Sequence, residues 1–246
     1  MRSQDKHGAA ATWAIVALKC PDEAKSRLRL HCSDDERRSL YFLMARKVVL
    51  ALLAVPAIAR VLAVTASDEV AQFVQVLGGA VIRQPQDHGT QSAFAYALTS
   101  IMLGEAPPPA RLLMISGDLP LITPAAVHDL LDQCQVDSGV AIVPDRRKRG
   151  TNGLLCSPPD AVEPCFGDDS LRRHRAAARA RGHNVRVIES PALSLDIDDH
   201  EDLTLLFEHP ATGAGSEQDP GLANWLNRYF ARDRSRAGII ENADCA

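Results

Sequence analysis

Apolar and polar positions along the chain fall into blocks of two periods, and the blocks alternate. TWAIVALK, residues 12–19, is a compact β-rich run. Ser33 with Glu36 three residues on forms a capping box, which predicts a helix through Leu53 before Pro56 stops it. VLAVTAS, 61–67, reads as a second strand, 69–77 as a helix closed by Gly78-Gly79, and 80–84 as a third strand. A helix from Thr90 to Leu103 precedes the Pro107-Pro108-Pro109 break and the buried-looking strand RLLMIS, 111–116. Thr123-Pro124 supplies an N-cap and a first-turn proline for a helix reaching Cys134.

The second half keeps the rhythm. GVAIV, 139–143, breaks at Pro144 into a basic run and a Gly150-Thr151-Asn152-Gly153 turn. Then come LLCS, a helix over 170–181, NVRVIE, a strand LSLDI over 193–197 and a short helix over 199–208. Strands alternating with helices predict a mostly parallel sheet covered on both faces, whose ligands bind beyond the carboxyl ends of the strands. Beyond residue 209 the pattern dissolves into ATGAGSEQDPG, a linker by composition, and an amphipathic piece, LANWLNRYFARDR. The division is thus a body over 1–209 and an extension over 210–246, which suits docking on the body or a homodimer contact and looks peripheral to chemistry.

Composition narrows the choice. With 246 residues, 46 % of them apolar, the chain can bury a full α/β core. A formal net charge of −4 argues against a surface built to bind nucleic acid, so any anion site is local. The six cysteines show no C-x-x-C pair or zinc-like spacing, which points to a reducing cytoplasm. Residues 9–18 imitate a short signal peptide without its cleavage site, and no apolar run approaches the ~20 residues of a membrane helix. A soluble, cytoplasmic protein is expected.

Candidate chemistry gathers at four strand ends. Lys19, Lys25 and Arg27 surround the first. With no Walker or dinucleotide fingerprint present they can clamp phosphates only as point charges, or form a solvated loop. Asp118, in GDLP after RLLMIS, is placed to hold a divalent cation or to make a turn. Asp196 and Asp198 fall on one side of an extended chain and could share a metal, while Asp198 or Asp199 with Glu201 and Asp202 also makes a good helix start. At the fourth end, Gly150 and Gly153 would open the backbone to an anion, Thr151 and Ser170 offer hydroxyls, and Arg173 and His174 lie on the helical face of Ser170. Asp168 and Asp169 would cap that helix or touch metal. Arg146, Arg147, Lys148 and Arg149 read mostly as a solvated charge run.

The order AKSRL, GDLPLI, VPDRRKRGTNGLL, FGDDSLRRHRAAA and LDIDDHEDL resembles the CofC/FbiD guanylyltransferases of coenzyme F420 biosynthesis, over residues 12–208. The resemblance implies a three-layer α/β nucleotidyltransferase fold, akin to the sugar-nucleotide pyrophosphorylases and MobA, with a mixed, mostly parallel sheet. It implies transfer of GMP from GTP to a phosphorylated three-carbon acid, with pyrophosphate released and the product passed to a further transferase. Mg2+ would sit on Asp118, Asp196 and Asp198, with Asp118, Lys25 and Asp198 catalytic. Lys19 and Lys25 would take the triphosphate. Thr151, Asn152, Gly167 and Ser170 would take the acceptor. One departure stands out: His88-Gly89-Thr90-Gln91-Ser92 replaces the family's G-L-N-x-A-L, so that Gly89 and Thr90 look like the base-contacting turn of sugar-nucleotide enzymes. That turn and the tail are most similar to proteobacterial members, for which 3-phospho-D-glycerate is the implied acceptor, ahead of phosphoenolpyruvate and 2-phospho-L-lactate.

An acceptor phosphate is already an anion and needs no general base, which agrees with the absence of a legible partner for His128, His174 or His200. Two alternatives remain. A molybdopterin-type nucleotidyltransferase would need a Gly-rich L-x-G-G opening where this chain has ALKCPDEAKSRL, and a non-catalytic nucleotide-binding regulator would have no use for carboxylates at two strand ends.

Overall fold

The computed structural model describes residues 11–133, 139–210 and 219–243, with side chains as far as residue 232. Seven strands form one sheet in the order β3-β2-β1-β4-β6-β5-β7. The strands are β1 (Thr12–Ala17), β2 (Ile58–Thr65), β3 (Ala80–Arg83), β4 (Arg111–Ser116), β5 (Gly139–Pro144), β6 (Thr151–Ser157) and β7 (Asn184–Val187). All run the same way except β6, which is antiparallel to both β4 and β5. The mostly parallel sheet expected from the pattern is therefore present, with the mixed character that the resemblance implied.

Two apolar layers sandwich it. Helices α1 (Asp34–Leu53), α2 (Asp68–Val76) and α4 (Pro124–Asp132) cover the face presenting Ala14, Val16, Leu113 and Ile115. Helices α3 (Thr90–Met102) and α5 (Ser170–Ala180) cover the face presenting Ile15, Leu112 and Met114. Neighbouring residues of one strand thus enter opposite cores, which is why the central strands read as unbroken apolar runs. The capping chemistry holds as expected. Ser33 and Glu36 bond to each other's backbone in both senses at the start of α1, and the Thr123 hydroxyl accepts from the Ala126 amide ahead of Pro124.

Two local expectations fail. Thr151-Asn152-Gly153 is the first stretch of β6 and not a turn; the turn is 145–150, closed by the Asp145 amide bonding the Gly150 carbonyl. Gly153 is small because it packs against Val143, where a Cβ would lie 3.2 Å from a methyl group. LSLDI is not a strand. Pro191 starts a single helical turn, α6 (Pro191–Ser194), and 195–198 follows without pairing to the sheet. The Asn152 amide nitrogen donates to the carbonyls of Leu193 and Ser194, at 3.2 and 3.0 Å, taking acceptors that a neighbouring strand would have used. Side-chain alternation survives, with Leu195 and Ile197 buried and Asp196 and Asp198 turned to the cleft.

The carboxyl-terminal piece docks on the body. In α8 (Pro220–Ala243), Leu222, Trp225, Leu226 and Tyr229 join a third core with Leu40 and Met44 of α1, Leu203 and Leu206 of α7 (His200–Glu208), and Leu195 and Ile197. The segment read as remote from the chemistry therefore packs beneath the loop that carries Asp196. The predicted linker, 211–218, and the predicted helix end at Cys134 lie outside the described residues. Among the described residues no helix is long and apolar enough to cross a membrane.

Candidate active site

A cleft of about 630 Å³ opens over the carboxyl edge of the sheet. Because β6 runs backwards, its first residues, Thr151 and Asn152, arrive at the edge where β1, β4 and β5 end. One strand reversal therefore brings the fourth candidate cluster to the other three.

One side of the cleft is ionic. The Lys25 ammonium, its side chain 7 % exposed, donates to Asp118 Oδ2 and to the Ile197 carbonyl, and lies 4.0 Å from Asp198 Oδ1. Lys25 holds a left-handed backbone (φ 56°, ψ 39°), a strain of roughly 1 kcal/mol for a residue with a Cβ. Burial alone would lower its pKa, but Asp118 and Asp198 outweigh that and hold the ammonium above its ordinary value. Burial and the Asp118 and Asp198 charges push Asp196 up to about 7, although Asn152 donates to its Oδ1 at 3.2 Å. Burial also raises Asp198, with the Asp118 charge adding to it against Lys25 and against Arg27, 3.2 Å away. Three carboxylates thus share one buried cation and one rim cation, and the surplus negative charge is what opposes ionisation.

Lys19 is exposed on the wall of the same cleft, and among the described residues it makes no ion pair. The Tyr41 hydroxyl donates to its carbonyl at 2.8 Å. Thr90 also lines the cleft. Gly89, at φ 88°, forms the left-handed turn before it and donates its amide to Asp87 Oδ1 at 2.8 Å. Asp87 Oδ2 accepts from the Cys20 amide at 3.3 Å, so one carboxylate ties the Gly89 turn to the loop after β1.

The opposite side sets hydroxyls and backbone among charged residues that include Arg149, Asp168 and Asp169. Thr151 and Ser170, both buried, line the cleft with Gly167, whose φ of 106° requires glycine. The Ser170 Oγ has no hydrogen-bond partner among the described residues. Thr151 Oγ1 meets His174 Nδ1 at 3.1 Å, and His174 Nε2 accepts from the Cys165 amide at 2.9 Å. Asp169 occupies the N-cap position of α5, but its side chain caps none of the helix amides and pairs with Arg172 instead. Asn152 lines the cleft as well, and its amide latches 193–196.

The basic run divides. Arg146 donates twice to Asp202 Oδ1, at 3.0 and 2.8 Å, and the other Asp202 oxygen accepts from the Asp198 and Asp199 amides at 2.9 and 3.1 Å. Arg147 pairs with Asp199 at 2.8 Å and Lys148 with Glu189 at 2.6 Å. Among the described residues only Arg149 of the four makes no ion pair, and it lines the cleft. Asp199, not Asp198, caps α7, in a reciprocal capping box with Asp202. The helix-start reading of the acidic cluster thus falls on Asp199 and Asp202, and leaves Asp196 and Asp198 on the cleft.

The model of the CofC-like guanylyl transferases matches residues 12–218. The chain belongs to that family. A phosphoenolpyruvate guanylyltransferase of Conexibacter woesei is 34 % identical over 221 residues, covering 89 % of this chain and 97 % of its own. A 3-phospho-D-glycerate guanylyltransferase of Phenylobacterium zucineum is 33 % identical over 199 residues, covering 80 % and 90 %. Among solved structures, a Desulfovibrio desulfuricans G20 protein described as a candidate nucleotide-diphospho-sugar transferase superposes with a TM-score of 0.71 at 16 % identity, covering 91 % of this chain and 97 % of its own, which shows the shared fold. The family match ends before α8 begins.

In this CofC-like chain the cleft gathers Lys19, Lys25, Thr90, Asp118, Thr151, Asn152, Gly167, Ser170, Asp196 and Asp198, and leaves Gly89 just behind its wall. Sequence reasoning missed the contacts of His174 and the Arg146–Asp202 latch. The only available signal for the first was the four-residue spacing from Ser170 to His174, and for the second there was none, because the partners are 56 residues apart.

Proposed function

We propose that this protein transfers GMP from GTP to a phosphorylated three-carbon acid, with 3-phospho-D-glycerate favoured over phosphoenolpyruvate and 2-phospho-L-lactate, and releases pyrophosphate. The observation that carries the reading is a single cleft whose two walls differ in kind. Three carboxylates around Lys25 face two buried hydroxyls and an arginine that makes no ion pair among the described residues.

An oxygen of the acceptor phosphate forms a bond to the α-phosphorus of GTP, the bond from that phosphorus to the bridging oxygen of the β-phosphate breaks, and pyrophosphate leaves. No proton needs to be removed from the nucleophile, so the walls have only to position and neutralise. Lys19, exposed at the rim, takes the triphosphate, and Thr90 faces the nucleoside end. Thr151, Ser170 and the backbone at Gly167 take one end of the acceptor, while Arg149 neutralises the other. Lys25 holds Asp118 and Asp198 in place and offsets one of their charges.

Asp118, Asp196 and Asp198 suit a hard divalent cation such as Mg2+. Among the described residues no three or more acidic, His or Cys side chains are already spaced to hold a metal ion, so an ion there would have to draw most of its shell from substrate phosphates and water. When bound it would supply charge stabilisation for the pentavalent α-phosphorus and the leaving pyrophosphate. Identities of 34 % and 33 % to relatives named for phosphoenolpyruvate and 3-phospho-D-glycerate leave the acceptor to experiment. The choice of 3-phospho-D-glycerate rests on the HGTQS turn and on a tail that continues past the family match.

The test is pyrophosphate release from GTP with Mg2+ and each of the three acids, with product masses read afterwards. Turnover with 3-phospho-D-glycerate above the others supports the full reading, turnover with another acid corrects the acceptor, and silence with all three in a folded, GTP-binding protein overturns it. The product is an activated phosphoanhydride, so a transferase that displaces GMP from it must act next.

A further inference from the structure

His174 is fully buried, does not line the cleft, and has no role in the phosphoryl-transfer step itself. Its two ring nitrogens nevertheless have fixed duties. A backbone amide can only donate, so the 2.9 Å contact from the Cys165 N–H requires an unprotonated Nε2. A neutral imidazole then carries its proton on Nδ1, which faces Thr151 Oγ1 at 3.1 Å. Thr151 must accept that bond, so its own hydroxyl proton is left to point elsewhere. Thr151 lines the cleft, and one helical turn before His174 the buried Ser170 hydroxyl also has no partner among the described residues.

We propose that His174 is a positioning residue which, by donating from Nδ1, makes Thr151 a hydrogen-bond donor towards the acceptor and so selects an anionic oxygen over a hydroxyl at that subsite. This rests on the proposed binding of the acceptor at Thr151 and Ser170. Burial, and next the Arg173 charge, lower the His174 pKa to about 4, so the ring stays neutral at working pH. The edge of Phe166, with ring centroids 5.0 Å apart, fixes the ring plane. The arrangement costs nothing at the moment of binding because the donor is already aimed.

The amide variants separate this role from a purely structural one. Asn at 174 keeps an N–H where Nδ1 stands, whereas Gln keeps an acceptor where Nε2 stands and so preserves only the bond from the Cys165 amide. His174→Gln is expected to raise the acceptor KM about tenfold or more, with the GTP KM within about twofold, the effect of one lost hydrogen bond to a charged group. His174→Asn should recover most of that loss, and His174→Gln should add nothing to the acceptor KM in a Thr151→Val background. Recovery by Gln but not Asn, or full additivity with Thr151→Val, would overturn the proposal.

Should the variants fail to fold, ring ¹⁵N shifts of the unaltered protein at neutral pH decide the same question. A protonated Nδ1 with a bare Nε2 is expected, and an Nε2–H tautomer or an imidazolium overturns the inference. That spectrum needs no acceptor, so a failure of the acceptor reading is seen separately, as absence of turnover in the unaltered enzyme.

Discussion

The two walls of the cleft solve the problem of buried polarity in opposite ways. The carboxylate wall gathers Asp118, Asp196 and Asp198 about one ammonium and leaves them with more charge than Lys25 and Arg27 can neutralise. The hydroxyl wall has an uncharged centre: Thr151, Ser170 and the His174 behind them are all buried, and among the described residues none of their side chains is bonded to a charged group, while Arg149, Asp168 and Asp169 carry the charge around them. A wall with surplus charge is set to bind a cation and shift its own protonation, whereas a wall of aimed hydroxyls recognises a ligand that arrives charged. Under the proposed reaction the carboxylate wall would activate and the hydroxyl wall would select.

The largest effect should come from the carboxylate wall. Asp118→Asn is expected to keep the fold and lower turnover by roughly a thousandfold, the scale of losing a charged group that acts on the transition state. A variant with near-normal pyrophosphate release would break the division of labour. Next is the latch under that wall. Arg146→Ala leaves the buried Asp202 with only the more distant Arg147, so the melting temperature should fall by several degrees, and kcat should fall with it because Asp202 holds the Asp198 amide. Unchanged melting would show that Arg147 suffices.

The third prediction concerns pH. Asp196 ionises near neutrality in the folded chain and near its ordinary value when unfolded, so it favours folding at low pH and loses that contribution as pH rises towards and through about 7. In the presence of a chelator, the melting temperature of the unaltered protein relative to Asp196→Asn should decline between pH 5 and 8, and added Mg2+ should remove the decline. A flat difference would show that the three carboxylates do not share their charge. The smallest effect belongs to the rim of the hydroxyl wall. Arg149→Ala should raise the acceptor KM about threefold to tenfold at low salt, and less at high salt, with GTP little affected, as an exposed cation acting through water would. Equal effects on GTP and acceptor would move Arg149 out of the acceptor half.

How much of this was legible depends on distance along the chain. Ser33 with Glu36, Thr123 with Pro124, and Asp118 after an apolar strand announce themselves because cap and first turn lie three or four residues apart. The site residues were legible as types at strand ends, and as a set through their resemblance to a family. The LSLDI segment misled because its composition suits a strand; what removed it from the sheet is Asn152, about 40 residues away, which takes its carbonyls. The basic run is mostly exposed, as its composition suggests, but four like charges in sequence look equivalent until Asp202, Asp199 and Glu189 claim three of them.

Sequence alone therefore determined the alternating α/β layers, the helix starts and the residue types present at each strand end, since all of these follow from periodicity and from contacts within one turn of helix. Tertiary structure decided the rest. It reversed β6 so that Thr151 enters the cleft, laid 195–198 on α8 with Asp196 facing inward, and set His174 between an amide and a hydroxyl. Each of those outcomes depends on which distant group is nearest when a buried polar atom must find a partner, and no local pattern carries that information.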